Sequence, residues 1–294
     1  MRVDEFLQTT INGIASGSIY ALGAIGLSLV YAILKLVNFA HGDFMTLGGY
    51  AAFAVNVSMG MPLWIAIVAA MVAIALVGLI TEALIWRPMR KRGAGIMQLL
   101  LLSIGLAFVV RNLILFFWSG DSRKLSIDDT KVYNVGSVHI SLLQLIVIVI
   151  AAIALLATSW MLKSTYVGKS MRALSDSFDL AEVSGIDTKR VVTYTWVIGG
   201  GLAGLAGALA AIFSNNLTPN TGWILLLGIF AAIILGGIGN PFGALVGGLA
   251  LGLVQEWSTI LIAPTYKEAI GFLVLIVALL FRPNGLLGHA TRTA

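Results

Sequence analysis

Residues 140–162 read ISLLQLIVIVIAAIALLATSWML, a run without one charged side chain. An α-helix that crosses the hydrocarbon of a bilayer needs about 20 mostly apolar residues, and this stretch has that length. Its apolar residues are contiguous. A strand of a membrane β-barrel would alternate apolar and polar residues over about ten positions, so the run is helical. Working outward, comparable runs fall at about 10–34, 43–59, 62–85 and 97–118 before it and at about 191–213, 222–236, 243–262 and 267–281 after it. Some are short or interrupted. The pattern predicts an all-α fold, a polytopic transmembrane helical bundle of eight to ten spans.

Composition agrees. Of 294 residues, 59% are hydrophobic and 11% charged, with a mean hydropathy of +0.98; soluble domains carry about 25% charged residues. Lipid is the solvent that such a surface requires. A net charge of +5 would suggest nucleic acid in a soluble protein. Here the basic residues cluster between apolar runs, so they report topology and no nucleic-acid partner is expected. Arg87, Arg90, Lys91 and Arg92 form one cluster, Lys163, Lys169, Arg172, Lys189 and Arg190 fall in one loop, and Arg282 and Arg292 mark the C-terminal end. The positive-inside rule puts these regions in the cytoplasm and the loops at about 119–139 and 214–221 outside. With no cysteine there is no disulfide framework. The N-terminal MRVDEFLQTT carries acids and lacks the basic start of a secretory signal, so the first helix is expected to stay.

Several patterns that would indicate chemistry fail. Gly168-Lys169-Ser170 resembles the end of a phosphate-binding loop, but the glycine needed five residues earlier is Lys163. Gly199, Gly201 and Gly204 spell a dinucleotide fingerprint inside an apolar run, with no strand before them. His41, His139 and His289 show no metal-ligand spacing. No catalytic constellation, metal site or cofactor is expected. The pairs Gly200/Gly204, Gly239/Gly243, Gly243/Gly247 and Gly248/Gly252 have the spacing that lets helix backbones approach closely.

Two segments carry more information. In the loop at about 163–190, Met171, Leu174, Phe178 and Ala181 recur at helical spacing and give one apolar face. Asp179 and Glu182 resemble a capping box, and Gly185 suits a C-cap. Such a helix can lie on lipid, pack on its own bundle or dock into a partner; the residues leave all three open. The second segment, Asn38-Phe39-Ala40-His41-Gly42-Asp43, puts polar side chains between two apolar runs. It reads either as a broken helix on a transport path or as a cytoplasmic turn with Asp43 starting the next helix. Arg111 either snorkels toward Trp118 or lines a polar interior, and Glu82 and Glu256 read as interfacial.

Together these stretches resemble one family, the LivH-type permeases of high-affinity branched-chain amino acid ABC importers. The resemblance rests on NGIASGSIYALGAIGLSLVYAI (12–33), NFAHGDFMTLGGY (38–50), GKSMRALSDSFDLAEVSGID (168–187), LGGIGNPFGALVGG (235–248) and RPNGLLG (282–288), in the family's order across almost the whole chain. It implies that 1–294 is a single permease domain in a bacterial inner membrane, C-terminus cytoplasmic. It also implies a second permease subunit, two cytoplasmic ABC ATPases that hydrolyse the ATP, a periplasmic solute-binding protein, and surrounding membrane lipid. The coupling helix would span 169–185, following Gly168, with Met171, Leu174, Phe178 and Ala181 as its anchor, Arg172 at the rim, and Glu182 and Gly185 at its end. Asn38, His41 and Asp43 become candidates for the translocation path. Gly168-Lys169 and Ser175-Asp176 depart from the family's usual Gly-Arg and Gln-Asp or Arg-Asp, which bears on substrate: permeases for urea and short amides look similar. A rival of another class is an ATP-independent secondary transporter, against which stands the position of Asp43, Glu82 and Glu256 near segment ends.

Overall fold

The computed structural model describes residues 3–127, 131–135, 138–282 and 285–287, so His289 and Arg292 lie outside the described residues. The helices are α1 (Val3–Leu34), α2 (Ala40–Phe53), α3 (Leu63–Thr81), α4 (Arg87–Lys91), α5 (Ile96–Trp118), α6 (Leu142–Ser164), α7 (Tyr166–Asp176), α8 (Phe178–Val183), α9 (Thr188–Ser214), α10 (Thr221–Gly236), α11 (Pro241–Ser258) and α12 (Lys267–Phe281). A π-helical turn, Ala54–Ser58, extends α2, and a second, Glu82–Trp86, joins α3 to α4. The all-α expectation holds with one addition. The loop before α6 contains an antiparallel hairpin, β1 (Val132–Val135) and β2 (Val138–Ser141), with Tyr133 opposite Ile140 and Asn134 opposite His139.

Local sequence sets the helix starts. Ser141 accepts from the Gln144 N–H while the Gln144 side chain accepts from the Ser141 N–H, a reciprocal cap for α6. Asp187 caps α9 through the Arg190 N–H. Asn240 caps α11 through the N–H groups of Phe242 and Gly243, and Pro241 opens that helix without an N–H to lose.

The bundle has an inner and an outer set of helices. In the most apolar window of α1, 94% of residues are buried, and in that of α9 78%; for α3, α5 and α6 the figure is 28%, and for α12 6%. The inner helices α1 and α9 are rich in glycine and alanine. The outer ones expose Val68, Val72, Leu101, Phe108, Ile153, Leu156 and Leu280, as helices facing hydrocarbon must.

Glycine governs the inner contacts. A methyl group on Gly207 of α9 would overlap the Met45 carbonyl of α2, and one on Gly222 of α10 would overlap the Gly42 carbonyl. Gly200 and Gly204 meet α3 at Ile74 and Ala70, Gly243 and Gly247 meet α10, and Gly248 and Gly252 meet α1 at Ala21 and Gly17. Van der Waals contact between backbones replaces the hydrophobic effect as the force that joins helices in lipid. Gly239 departs from the expected helix-face pair: it sits in the turn before α11 at φ +80°, in the left-handed region that glycine alone enters freely.

Contacts between links define two ends. At one, Gln8 and His139 exchange two 2.9 Å hydrogen bonds, Phe6 stacks on Trp257, Asn56 accepts from the Ser126 N–H, and Arg123 pairs its backbone with Leu217. At the other, Lys35 Nζ donates to the Ser175 carbonyl at 3.2 Å. There too a cavity of about 390 Å³ is lined by Ile33, Leu162, Met171, Asn240 and Phe242. Residues 285–287 close this end: the N–H groups of Leu286 and Leu287 donate to the carbonyls of Leu235 and Gly236, and Asn240 donates to the Leu287 carbonyl.

Among the described residues, six helices are long and apolar enough to cross a membrane, or up to seven if α10 and α11, bent 119° apart, form one span. That is fewer than the eight to ten read from the sequence. The helix formed by α2 and its π turn does not qualify because it carries His41, Asp43 and Asn56.

Gly207→Ala should lower the melting temperature of the detergent-solubilised protein by more than 5 °C, because no side chain can yield to the added methyl. Gly105→Ala, on an open face of α5 with nothing nearby, should be neutral or stabilise by up to about 1 kcal/mol. Equal effects of the two on thermal unfolding would contradict the packing described.

Candidate functional site

Helix α1 ends at Leu34, where Lys35 turns to φ +52° and donates its N–H to the Tyr31 carbonyl. The chain then runs without helix to Ala40. Asn38 begins α2: its Oδ1 accepts from the Ala40 N–H at 3.1 Å, and its carbonyl accepts from the His41 N–H. Ser103 of α5 holds the link from the side, accepting from the Phe39 N–H at 3.1 Å. The stretch is therefore a break between α1 and α2 that is enclosed by protein. Asn38 and Asp43 are 0% exposed and His41 is 2% exposed.

Each polar group of α2 reaches a different neighbour. His41 Nε2 lies 3.0 Å from the Gly23 carbonyl of α1, so this nitrogen carries the hydrogen it donates. Asp43 receives a two-pronged contact from Arg111 of α5, Oδ1 from Nε at 2.9 Å and Oδ2 from Nη2 at 3.1 Å. Thr46 accepts from the Gly222 N–H of α10 at 2.9 Å. Asn38 Nδ2 is buried and without a hydrogen-bond partner among the described residues. The structure thus brings Asn38, His41 and Asp43 together at the start of one helix and ties that helix to three others.

Arg111 is the residue whose direction the sequence left open. It does not snorkel toward Trp118; it turns inward to Asp43, with its guanidinium carbon 4.9 Å from the Trp223 ring centroid and 6.0 Å from that of Phe108. Its side chain keeps 16% exposure beside these aromatics, so one cation stands at the edge of the α2, α5 and α10 junction. Two lone opposite charges in apolar segments were the available signal. Glu82 and Glu256 are likewise paired: Glu82 with Arg90 and the Trp196 indole N–H at 2.8 Å, Glu256 with Lys267 at 2.9 Å.

The loop at 163–190 is structured, but differently from the helix expected over 169–185. It breaks at Ser177 into α7 and α8, because Ser177 takes extended backbone and caps α8 by accepting from the Leu180 N–H. Ser177 therefore fills the capping role expected of Asp179. Gly185 ends α8 at φ +84° with its N–H on the Glu182 carbonyl, as a C-cap. Gly168 packs against the Leu162 backbone with no room for a side chain. Met171, Leu174 and Ala181 are buried within the chain, so they anchor the loop to its own bundle; Phe178, Leu180 and Val183 are exposed. Arg172 donates to the Leu162 carbonyl, and Glu182 is exposed.

A family model described as branched-chain amino acid transport system / permease component matches residues 9–279. The chain is 32% identical to the high-affinity branched-chain amino acid transport system permease protein LivH of Escherichia coli K12 over 301 residues, 97% of this chain and 96% of that one. It is 30% identical to the corresponding BraD protein of Pseudomonas aeruginosa, with 97% and 96% covered. With a probable LivH of Methanocaldococcus jannaschii the identity is 28%, covering 92% and 89%. No solved structure matches.

Arg111→Ala strands a buried carboxylate and should destabilise the protein by about 3–5 kcal/mol. Asp43→Asn combined with Arg111→Gln should regain most of that loss. Thermal unfolding of the three proteins in one detergent checks this, and a double variant no better than Arg111→Ala would refute the pairing.

Proposed function

Because this chain belongs to the permease family of branched-chain amino acid transport systems, we propose that it is the membrane-spanning subunit of an ATP-driven, binding-protein-dependent importer of branched-chain or other neutral amino acids in a bacterial inner membrane. The match over nearly the whole length of the chain and of its relatives carries this reading. The failed nucleotide motifs fit it, since ATP hydrolysis then belongs to two cytoplasmic ATPase chains. A second permease subunit and a periplasmic binding protein complete the assembly, and residues 1–294 act as one permease domain.

The two ends of the bundle support a topology of nine crossings: α1, α2 with its π turn, α3 with α4, α5, α6, α9, α10, α11 and α12. The end with α4, the 163–190 loop and the α10–α11 turn holds the basic clusters, so we assign it to the cytoplasm. The N-terminus and the hairpin then face the periplasm, and the C-terminus the cytoplasm. Helices α10 and α11 each cross in this scheme, because their turn lies beside Met171 while Trp257 lies beside Phe6 at the other end.

Coupling follows from the loop. Gly168, Met171, Arg172, Leu174 and Ala181 fix α7 and α8 to the bundle, and Phe178 leaves its edge in solvent with Leu180, Val183 and Glu182. We assign that exposed edge to the ATPase. A push on α7 reaches Lys35 through the Ser175 carbonyl and so reaches the link that starts α2. Asn38, His41 and Asp43 then shift with α2 and set the wall of the path, while Arg111, beside Trp223, offers a cation to the solute's carboxylate. The second permease covers this flank, since an arginine at that depth is costly against lipid.

Leu180→Asp with Val183→Asp should abolish co-purification of the ATPases and reduce uptake more than tenfold, with the melting temperature unchanged; retained ATPases would sink the coupling assignment. Uptake by the chain alone in vesicles, without ATP, would overturn the importer reading itself. The chain lacks cysteine, so single cysteines report topology directly. A membrane-impermeant maleimide should label Asn216→Cys and Leu261→Cys in cells whose inner membrane is intact, and Arg92→Cys and Ser184→Cys only after permeabilisation. Protection of Leu261→Cys would mean that α10 and α11 form one span.

A further inference from the structure

Between α3–α4 and α9, at the end assigned to the cytoplasm, lies a cavity of about 480 Å³. Arg87, Arg90, Lys91 and Lys189 line it, against one carboxylate, Glu82. That carboxylate is already held by Arg90 and by the Trp196 indole N–H. Three of the four cations therefore face the cavity with no counter-charge on its wall. Arg90 Nη1 is buried and has no hydrogen-bond partner among the described residues, and a buried guanidinium N–H without an acceptor is costly. The first turn of the 27-residue α9, with Thr188 and Lys189, adds the positive end of a helix dipole. The nearby cap Asp187 is paired with Arg190 at 2.9 Å.

The rest of the wall is apolar. Leu79 and Ala83 of α3, Val192 of α9 and Phe178 of α8 line the same space. Toward the bilayer, Leu76 and Ile80 on α3 and Val197 on α9 are exposed, at helical spacing from Leu79 and Thr193. The groove thus offers cations at its mouth and an apolar track along its length. The positive-inside rule explains why basic residues lie on this side of the membrane. It does not explain their convergence on one cavity or the partnerless Arg90 nitrogen.

We propose that this cavity is a binding site for an anionic phospholipid. The headgroup phosphate lies among Arg87, Arg90 and Lys189, where charge-assisted hydrogen bonds are strongest, and the acyl chains follow Leu76 and Leu79. Basic pockets between membrane helices on the cytoplasmic side take such headgroups. Phe178 is both a wall of the cavity and the first residue of α8, so an occupied site braces the edge assigned to the ATPase.

The test uses the purified complex, delipidated in detergent and titrated with phosphatidylglycerol or phosphatidylcholine while bound lipid is counted by native mass spectrometry. Phosphatidylglycerol should bind in clear preference. Arg87→Gln with Lys189→Gln should weaken it about 30-fold, and Lys91→Gln alone, the milder variant should the pair fold poorly, about fivefold. Removing the same charge elsewhere, with Lys124→Gln and Lys169→Gln, should leave binding unchanged. The readout needs no transport, so it is independent of the importer reading. Equal binding of the two lipids overturns the proposal, as do wild-type affinity in the variants and displacement of the lipid by millimolar inorganic phosphate, which would make this a free-anion site. Loss of the ATPases from the variants with lipid binding intact would also overturn it, making the cavity a protein-docking face.

Discussion

A carboxylate at membrane depth has no water to turn to, and Asp43 meets that constraint with Arg111 from a helix that is remote in sequence. Much of the inner architecture depends on this arrangement. The pair fixes α5 against α2, and the polar groups on either side of Asp43 fix α2 against α1 and α10. Taken singly, the helix is a poor membrane segment, with His41, Asp43 and three glycines among its 14 residues. Packed against α3, α5, α9 and α10 and bonded to α1 through His41, it has its polar side chains buried by the chain itself. Insertion of α2 is thus a collective property of its neighbours, consistent with the rule that backbone and side-chain polar groups in a bilayer must be satisfied by the protein itself.

The division between inner and outer helices follows from the same constraint. Where helices meet one another, glycine lets main chains touch and gives dispersion contacts that bulky side chains would prevent. Where helices meet the outside of the bundle, leucine, isoleucine, valine and phenylalanine dominate. Large apolar side chains are therefore exposed around the rim as well as buried in the core, a departure from the rule for soluble domains. The geometry gives a bundle whose inner helix contacts are made by glycine and whose outer faces carry large apolar side chains.

Most of the long helices were readable from the apolar runs, though their number as membrane spans was not. The run expected at 267–281 coincides with α12, and that at 97–118 differs from α5 by one residue at its start. The hairpin at 132–141 was not readable, because VYNV and VHIS are short strands flanked by polar residues and make no long pattern. The site was half readable. Asn38, His41 and Asp43 stood out as polar side chains between apolar runs. The partner of Asp43 did not, because nothing in a linear sequence says which lone arginine faces which lone aspartate. The loop at 163–190 shows a different limit. Met171, Leu174, Phe178 and Ala181 keep helical spacing across the Ser177 break, so periodicity suggested one helix where there are two. The spacing marked an apolar face correctly, yet could not say that the surface covering most of it belongs to the same chain.

Residues 285–287 provide the acceptors at the end of α10 with their donors, through Leu286 and Leu287, and supply the carbonyl that holds the Asn240 side chain. These residues leave the ribosome after all of the described helices. Until then the α10–α11 turn, with its left-handed Gly237 and Gly239, has its last carbonyls open to solvent and lacks its clasp. Synthesis order thereby becomes an assembly checkpoint: this end of the bundle can be locked only once residues 285–287 have been added beyond α12, and a chain truncated between α12 and residue 285 would hold the described helices without their closing contact.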